Sequence, residues 1–444
     1  MSGSSPTGAP PNVIVVLTDQ QRWDSVGCYG SPMDLTPHLD TAAQQGVRFE
    51  HAFTCQPVCA PARACLQTGR YATANGVFRN GLLPNSGERM IAEDFKDHGY
   101  EVGYIGKWHL GGSGNKPVPP ERRGGYVDHW EAADLLEFTS HPYDTRLFDA
   151  NNQEISLEGY RVDATTELAL RFLDRPHQDP FFLFLSYLEP HHQNDENRFV
   201  APEGYAARYA NPWIPEDLIG RPGDWPSQLP DYFGIIARID ECLGRLIARL
   251  EARGLAENTV ILFTSDHGCH FRSRNNEYKR SCHESSIHVP AVLWGAGIPR
   301  GVVVRELVSL IDVPPTLLDV AGVPVPERMQ GRSLLPLARG EAADWRDEVF
   351  IQISESEVAR TLRTPRWKYT AYAPDKHPWN DGGSEIYRDR SLYDLARDPH
   401  ERVNLIGRQD HEAIIAPLRE RLITRMVEAG EAQPEIIPEK FPVG

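Results

Sequence analysis

The chain has 444 residues, 40% of them apolar and 24% charged, the balance of an ordinary globular protein with room for two or three domains. No run of eighteen apolar residues occurs, which argues against a membrane-spanning helix, and a formal charge of −16 argues against nucleic acid or an anionic membrane as a partner. Seven cysteines in this length are too sparse for a disulfide scaffold; the odd count fits free thiols, or one cysteine with a special role.

In chain order, the opening MSGSSPTGAPP lacks the basic and apolar regions of a signal peptide, so a cytoplasmic location is expected unless a leader has been removed. Val13–Leu17 then reads as a buried parallel strand, as do Val102–Ile105, Phe181–Leu185, Val260–Thr264 and Ala291–Trp294. Thr36-Pro37, LDTAAQQ and Gly46 make a helix with a Thr N-cap, Pro at N1 and a Gly stop. A longer helix spans Tyr232 to Leu250, with apolar side chains at helical spacing and Gly254 closing the pattern. The Pro-rich stretches near 116–120 and 212–230 read as long surface loops. After about residue 340, EVFIQIS, RWKYTAY and SLYDL alternate like half-exposed antiparallel strands, and a last helix covers roughly His411 to Gly430. The expected architecture is α/β: a large mixed, mostly parallel sheet flanked by helices, with a smaller C-terminal α+β domain carrying an antiparallel sheet. The domain boundaries are placed at 1–340 and 341–444.

Two acidic pairs stand at strand ends, Asp19-Gln20 after the first strand and Asp266-His267 after VILFTS. Ligands of open α/β sheets sit beyond the carboxyl ends of the strands, and two carboxylates converging there repel each other without a cation. A lone Asp at a strand end is more often a turn residue; the pair, with an imidazole beside one member, points to a metal site. Cys59-Ala60-Pro61-Ala62-Arg63 lies between them in sequence. Pro61 suits a helix start, which places residue 59 at a helix N-terminus, where free N–H groups favour an anion.

CAPARACLQTGR resembles the signature of the type I sulfatases, in the alkaline phosphatase-like superfamily, and further segments resemble the same family in the same order. These are NVIVVLTDQ, TPHLDTAAQQGVRF, GYEVGYIGKWHLG, EPHH, TSDHG, EYKRSCHESSIHVP, RTPRWKYTAY and SLYDLARDPHERVNL. The resemblance implies that a formylglycine-generating enzyme oxidises Cys59 to formylglycine. The hydrated aldehyde would attack sulfur, with S–O cleavage through a covalent intermediate, and its second hydroxyl would let sulfate leave. It also implies that Asp19, Gln20, Asp266 and His267 hold one divalent metal and that Arg63 braces the nucleophile. Lys107 would neutralise the sulfate and His109 would assist its release. His191 and Lys279 fall on the leaving-group side, with the adjacent His192 an alternative to His191.

Many members have Asp-Asp and Asp-Asn where this chain has Asp19-Gln20 and Asp266-His267. Family precedent favours Ca2+, whereas the imidazole suits Mn2+. The Asp…Asp-His arrangement also resembles the phosphonate monoester and phosphodiester hydrolases of the superfamily, which form the alternative reading. A non-catalytic anion-binding relative ranks below both, since every pocket position is chemically competent. The segment Phe271–Arg280 is basic within an acidic protein and suggests either a contact for a second anionic group or a solvated loop. On that loop and the Pro-rich segments, a carbohydrate sulfate ester is the expected substrate. Cys55 and Cys65 are expected to be packed thiols.

Overall fold

Val13–Leu17 offers water no polar face, and in the computed structural model, which describes residues 8–439, it lies at the centre of a sheet. The first seven residues, on which the expectation of a leaderless start partly rests, fall outside the described residues. Eleven strands form that sheet. They are β1 (Asn12–Thr18), β2 (Val47–Phe53), β3 (Glu101–Lys107), β4 (His129–Ala133), β5 (Asp144–Phe148), β6 (Glu154–Glu158), β7 (Phe181–Ser186), β8 (Thr259–Ser265), β9 (His288–Val289), β10 (Ala291–Gly295) and β11 (Val302–Ser309). Their order is β11-β2-β10-β8-β1-β7-β3-β4-β5-β6, with β9 paired to β2.

The central run β8-β1-β7-β3-β4 is parallel. All residues of β1, β7 and β8 are buried, as strands covered on both faces must be. Along β1 the alternation of the strand sends Val13, Val15 and Leu17 into one core and Ile14 and Val16 into the other. The first core is closed by the helix Cys59–Thr68, the second by the helix Trp225–Ala252.

Two expectations need correction. Ala291–Trp294 is a strand, but it runs antiparallel to both neighbours, β8 and β2. A parallel return needs a crossover, usually a helix, and the only helix in the link from β8 is the four-residue Glu284–Ile287. The Pro-rich stretch 212–230 is irregular only as far as Asp224, because the long helix begins at Trp225. Pro226 sits in its first turn, where the missing N–H has no intrahelical partner to lose.

The second sheet contains β12 (Val349–Ile353), β13 (Ala359–Arg363), β14 (Trp367–Tyr372), β15 (Ile386–Asp394) and β16 (Glu435–Ile437), antiparallel except for the β15–β16 pair. The helix Glu412–Glu428 covers one face, packing Leu418, Leu422 and Met426 against Phe350, Leu362 and Tyr369. No described helix is long and apolar enough to cross a membrane.

Candidate active site

The carboxyl ends of the central strands converge on one point. Asp19 follows β1, Lys107 ends β3, Ser186 ends β7 and Asp266 follows β8. The chain stays tied together past the strand ends, with Asp19 N–H donating to Glu189 O at 3.2 Å and Asp266 N–H to Thr18 O at 3.1 Å. Gly106 makes the approach of β3 to β7 possible: its φ is +106°, and a Cβ there would stand 1.9 Å from Ser186 O. The helix Cys59–Thr68 enters from one side with Cys59 as its first residue, and the segment between β8 and β10 brings Lys279 from the other.

Cys59 Sγ lies 2.8 Å from Lys279 Nζ, 3.4 Å from His267 Nε2 and 3.6 Å from Asp19 Oδ1. Lys107 Nζ donates to Asp19 Oδ2 at 2.8 Å. Arg63 reaches Asp19 Oδ2 at 3.1 Å, Asp266 Oδ2 at 3.3 Å, and both Lys107 O and Ser186 Oγ, at 2.8 and 2.7 Å. Lys279 Nζ also lies 3.0 Å from His267 Nε2 and 3.3 Å from His191 Nε2. Gln20, with φ +71°, donates its backbone N–H to Asp266 Oδ1 at 3.2 Å. His109 is held at φ +63°, its ring 3.9 Å from Glu137 Oε1. Two non-glycine residues in the left-handed region beside one cluster are the kind of backbone strain that collects at functional sites.

All ten residues expected from the sequence therefore gather in one place, none more than 7% exposed. The choice between the adjacent histidines also resolves. His191 faces Lys279, while His192 packs at a tilt against Tyr278 with ring centroids 4.4 Å apart. His191 Nδ1–H donates to His192 O at 2.7 Å, which leaves the Nε2 lone pair to accept from Lys279. The other histidines of the segment disperse. His270 backs Lys279 through a 3.0 Å contact with its carbonyl, His283 meets Tyr393, and His288 stacks on Trp23. Phe271–Arg280 is no solvated loop: Arg274 donates to Glu401 O and His400 O, Arg272 to Asn197 and Arg280 to Glu355. Cys55 and Cys65 are buried free thiols.

Glu137 was not singled out from the sequence. Its carboxylate lies 3.1 Å from Lys107 Nζ, and it is only 5% exposed. Nothing in the local pattern LLEFTS marks it, because its partner is thirty residues away on β3.

Burial works against every charge here, and the neighbours decide the outcome. It pushes the Cys59 thiol up, but Lys107, Lys279 and His267 outweigh it and hold the group well below the ordinary thiol range. Burial and the Cys59 sulfur raise Asp19, yet Lys107, His191 and Lys279 keep it below the usual carboxylate range. Asp266 goes the other way, pushed up to about 6 by burial and then by Asp19. Lys107 is held protonated by Asp19 and Cys59 despite its burial. His191 is held below the ordinary imidazole range by burial and by Lys279.

The donor set fits a divalent cation. Ligand-capable atoms of Asp19, Cys59, Asp266 and His267 all lie within 4.8 Å of one another. His267 Nδ1–H donates to Gly268 O at 3.0 Å, so the Nε2 lone pair points into the cluster, the arrangement second-shell bonds give to ligating histidines. Gln20 Oε1 is buried without a hydrogen-bond partner among the described residues, as a side-chain oxygen meant for a ligand would be.

A strand-end cluster of carboxylates and cations facing a helix-borne nucleophile, on a large mixed sheet, defines an ester hydrolase of the alkaline phosphatase-like superfamily. The Sulfatase family profile matches residues 11–323, and the profile "N-sulphoglucosamine sulphohydrolase, C-terminal" matches residues 276–428. The chain belongs to the sulfatase family and is a sulfuric ester hydrolase. An ulvan-active sulfatase of Formosa agariphila is 31% identical, over 95% of this chain and 82% of that one. An N-acetylglucosamine-6-O-sulfatase of Bacteroides thetaiotaomicron is 26% identical, over 90% and 83%. Among solved structures, the yidJ protein of Bacteroides fragilis superposes with a TM-score of 0.83 at 25% identity, covering 95% of this chain and 96% of that one. A phosphonate monoester hydrolase of Silicibacter pomeroyi shares the fold at a TM-score of 0.70 and 23% identity, over 95% and 96%.

Proposed function

We propose that the protein hydrolyses a sulfate ester carried by a carbohydrate, using formylglycine made from Cys59 by a formylglycine-generating enzyme. The observation that carries this reading is the placing of Cys59 on the first turn of its helix, 2.8 Å from Lys279 and against Asp19 and His267. The carbohydrate follows from the relatives named for ulvan and N-acetylglucosamine sulfates. Formylglycine supplies a hydrated aldehyde, one hydroxyl of which is the nucleophile toward sulfur and the other the means of releasing sulfate. A divalent cation, Ca2+ by family precedent and otherwise Mn2+, would be held by Asp19, Gln20, Asp266 and His267, and when bound would polarise the sulfate oxygens.

The chain's own residues do the rest. Arg63 fixes Asp19 and Asp266 relative to each other through its separate contacts. Lys107, kept charged by Asp19, faces the anionic substrate, and Glu137 sets the angle of that ammonium. His109 assists release of sulfate. Because His191 Nδ1–H is spent on His192 O and Nε2 accepts from Lys279, Lys279 is the donor of the pair and stabilises the departing alkoxide, with His191 orienting it.

The phosphonate monoester or phosphodiester alternative is favoured by one observation, a cluster with two carboxylates and an imidazole in place of three carboxylates. Peptide mass spectrometry across residue 59, with paired turnover of an aryl sulfate and an aryl phosphate diester, separates the readings. Formylglycine with faster sulfate turnover, followed by desulfation of sulfated sugars, is the expected result. Faster diester turnover would replace it with the alternative, and an unconverted Cys59 in protein from its native host, with neither activity, would overturn both.

A further inference from the structure

We propose that Glu355, on the second sheet, is a positioning residue that holds the helix bearing residue 59 and the segment bearing Lys279 in one fixed relation. The proposal rests on the leaving-group role given to Lys279 above. Glu355 follows β12 with its side chain wholly buried and its backbone at φ +64°, a conformation disfavoured for any residue with a Cβ. Its two carboxylate oxygens go in two directions. Oε1 accepts the Asn80 N–H at 2.7 Å, and Asn80 Oδ1 in turn accepts the Ala60 N–H at 3.0 Å. That amide, in the first turn of the helix, has no intrahelical acceptor, and the apolar Val58 before Cys59 cannot supply one. Oε2 accepts Arg280 Nε at 2.6 Å, and Arg280 is the residue next to Lys279.

The flanking residues grip the same two segments. Gln352 N–H donates to Cys55 O at 2.8 Å, Gln56 Nε2 to Ser354 Oγ at 2.6 Å, and Ser356 Oγ–H to Arg280 O at 2.6 Å. Arg280 N–H closes the loop on Pro57 O at 3.3 Å. One buried carboxylate thus joins, through Asn80, the helix turn that begins at residue 59 to the chain just after Lys279, whose Nζ stands 2.8 Å from Cys59 Sγ. Loss of a residue that merely glues two sheets together lowers stability and leaves the reaction profile alone. Loss of a residue that aims Lys279 penalises each substrate by how much its leaving group needs that ammonium.

The test measures kcat and KM for aryl sulfates running from 4-nitrophenyl to phenyl, on wild type, Glu355→Gln, Arg280→Gln and the double variant, with formylglycine content fixed by mass spectrometry. Glu355→Gln should lose about 10- to 100-fold in kcat on phenyl sulfate and less than about threefold on 4-nitrophenyl sulfate, the scale of a misplaced catalytic group, with KM little changed. Arg280→Gln should show the same steepened dependence, and the double variant no further loss. Arg280→Gln keeps the test alive if Glu355→Gln folds poorly. Losses equal across the series, in either soluble variant, overturn the positioning role while leaving the sulfatase reading intact. Absence of turnover in wild type carrying formylglycine, on the aryl sulfates and on sulfated sugars alike, overturns the proposed function, and the role of Lys279 with it.

Discussion

In the proposed metal site, the proton and the cation compete for one buried group, Asp266. Its pKa of about 6 lies above the ordinary carboxylate value, so the folded protein binds this proton more tightly than the unfolded chain does. The associated stability is therefore present below the unfolded value of about 4 and lost as pH rises through the folded one. A cation needs the ionised form, so its affinity should fall about tenfold per pH unit below about pH 6 and level off above it. Calorimetric titration with Ca2+ and Mn2+ between pH 5 and 8 reads this directly, and an affinity flat across that range would remove Asp266 from the ligand set. Glu137 gives a second prediction. Glu137→Gln keeps the shape beside Lys107 but removes one of the charges that, with Asp19, holds it protonated. Sulfate turnover should fall about tenfold, the worth of about 1.4 kcal/mol, and an unchanged kcat would show that Asp19 alone suffices.

Among the elements, β3 has the least room for change. At Gly106 the positive φ alone costs an alanine about 1–3 kcal/mol, and its Cβ would also collide with Ser186 O on β7. Gly106→Ala should lower the melting temperature and displace both Lys107 and the Ser186 hydroxyl that receives Arg63; full activity in that variant would contradict the geometry. The central strands were legible in the sequence because both their faces are buried: VIVVL, FFLFL and VILFT carry no polar residue that must reach water before the strand ends. β2 was not, because Arg48, Glu50 and His51 interrupt its apolar pattern, and each finds its place only at the sheet's edge region beside β9 and β11. β11 hides in the same way behind Arg305-Glu306, where its register against β2 shifts. The antiparallel sense of β10 was invisible because strand direction depends on what the preceding link does. The site was legible through its ordered motifs, whereas Glu137, Asn80 and Glu355 act through partners far away in sequence and leave no local trace.

Across the whole molecule, the two sheets are joined by a buried cluster of charges. Lys368 on β14 lies 3.0 Å from Glu284 and pairs with Glu401, and Arg363 on β13 lies 3.4 Å from Glu284, which heads the short helix after Lys279. Removing one partner from such a cluster strands the others. Lys368→Met should cost about 3–5 kcal/mol by leaving Glu284 and Glu401 uncompensated, and denaturant unfolding measures it. A loss under about 1 kcal/mol would show that Arg363 carries the cluster alone. We propose the sequence boundary near residue 340 as a division of the chain but not of the function, since a 1–340 fragment would lack both Lys368 and Glu355.

The spread of the site along the chain has a consequence in time. Cys59 and its neighbour His267 are 208 positions apart, and they meet once β8 has paired with β1 and, through β10, with β2. At about 5–20 residues per second, a ribosome needs about 10–40 s to make the intervening stretch. Throughout that interval the thiol that ends up 2% exposed lacks His267 and Lys279, two of the groups that close over it. Synthesis itself holds the signature open, and the arrival of the eighth strand shuts it.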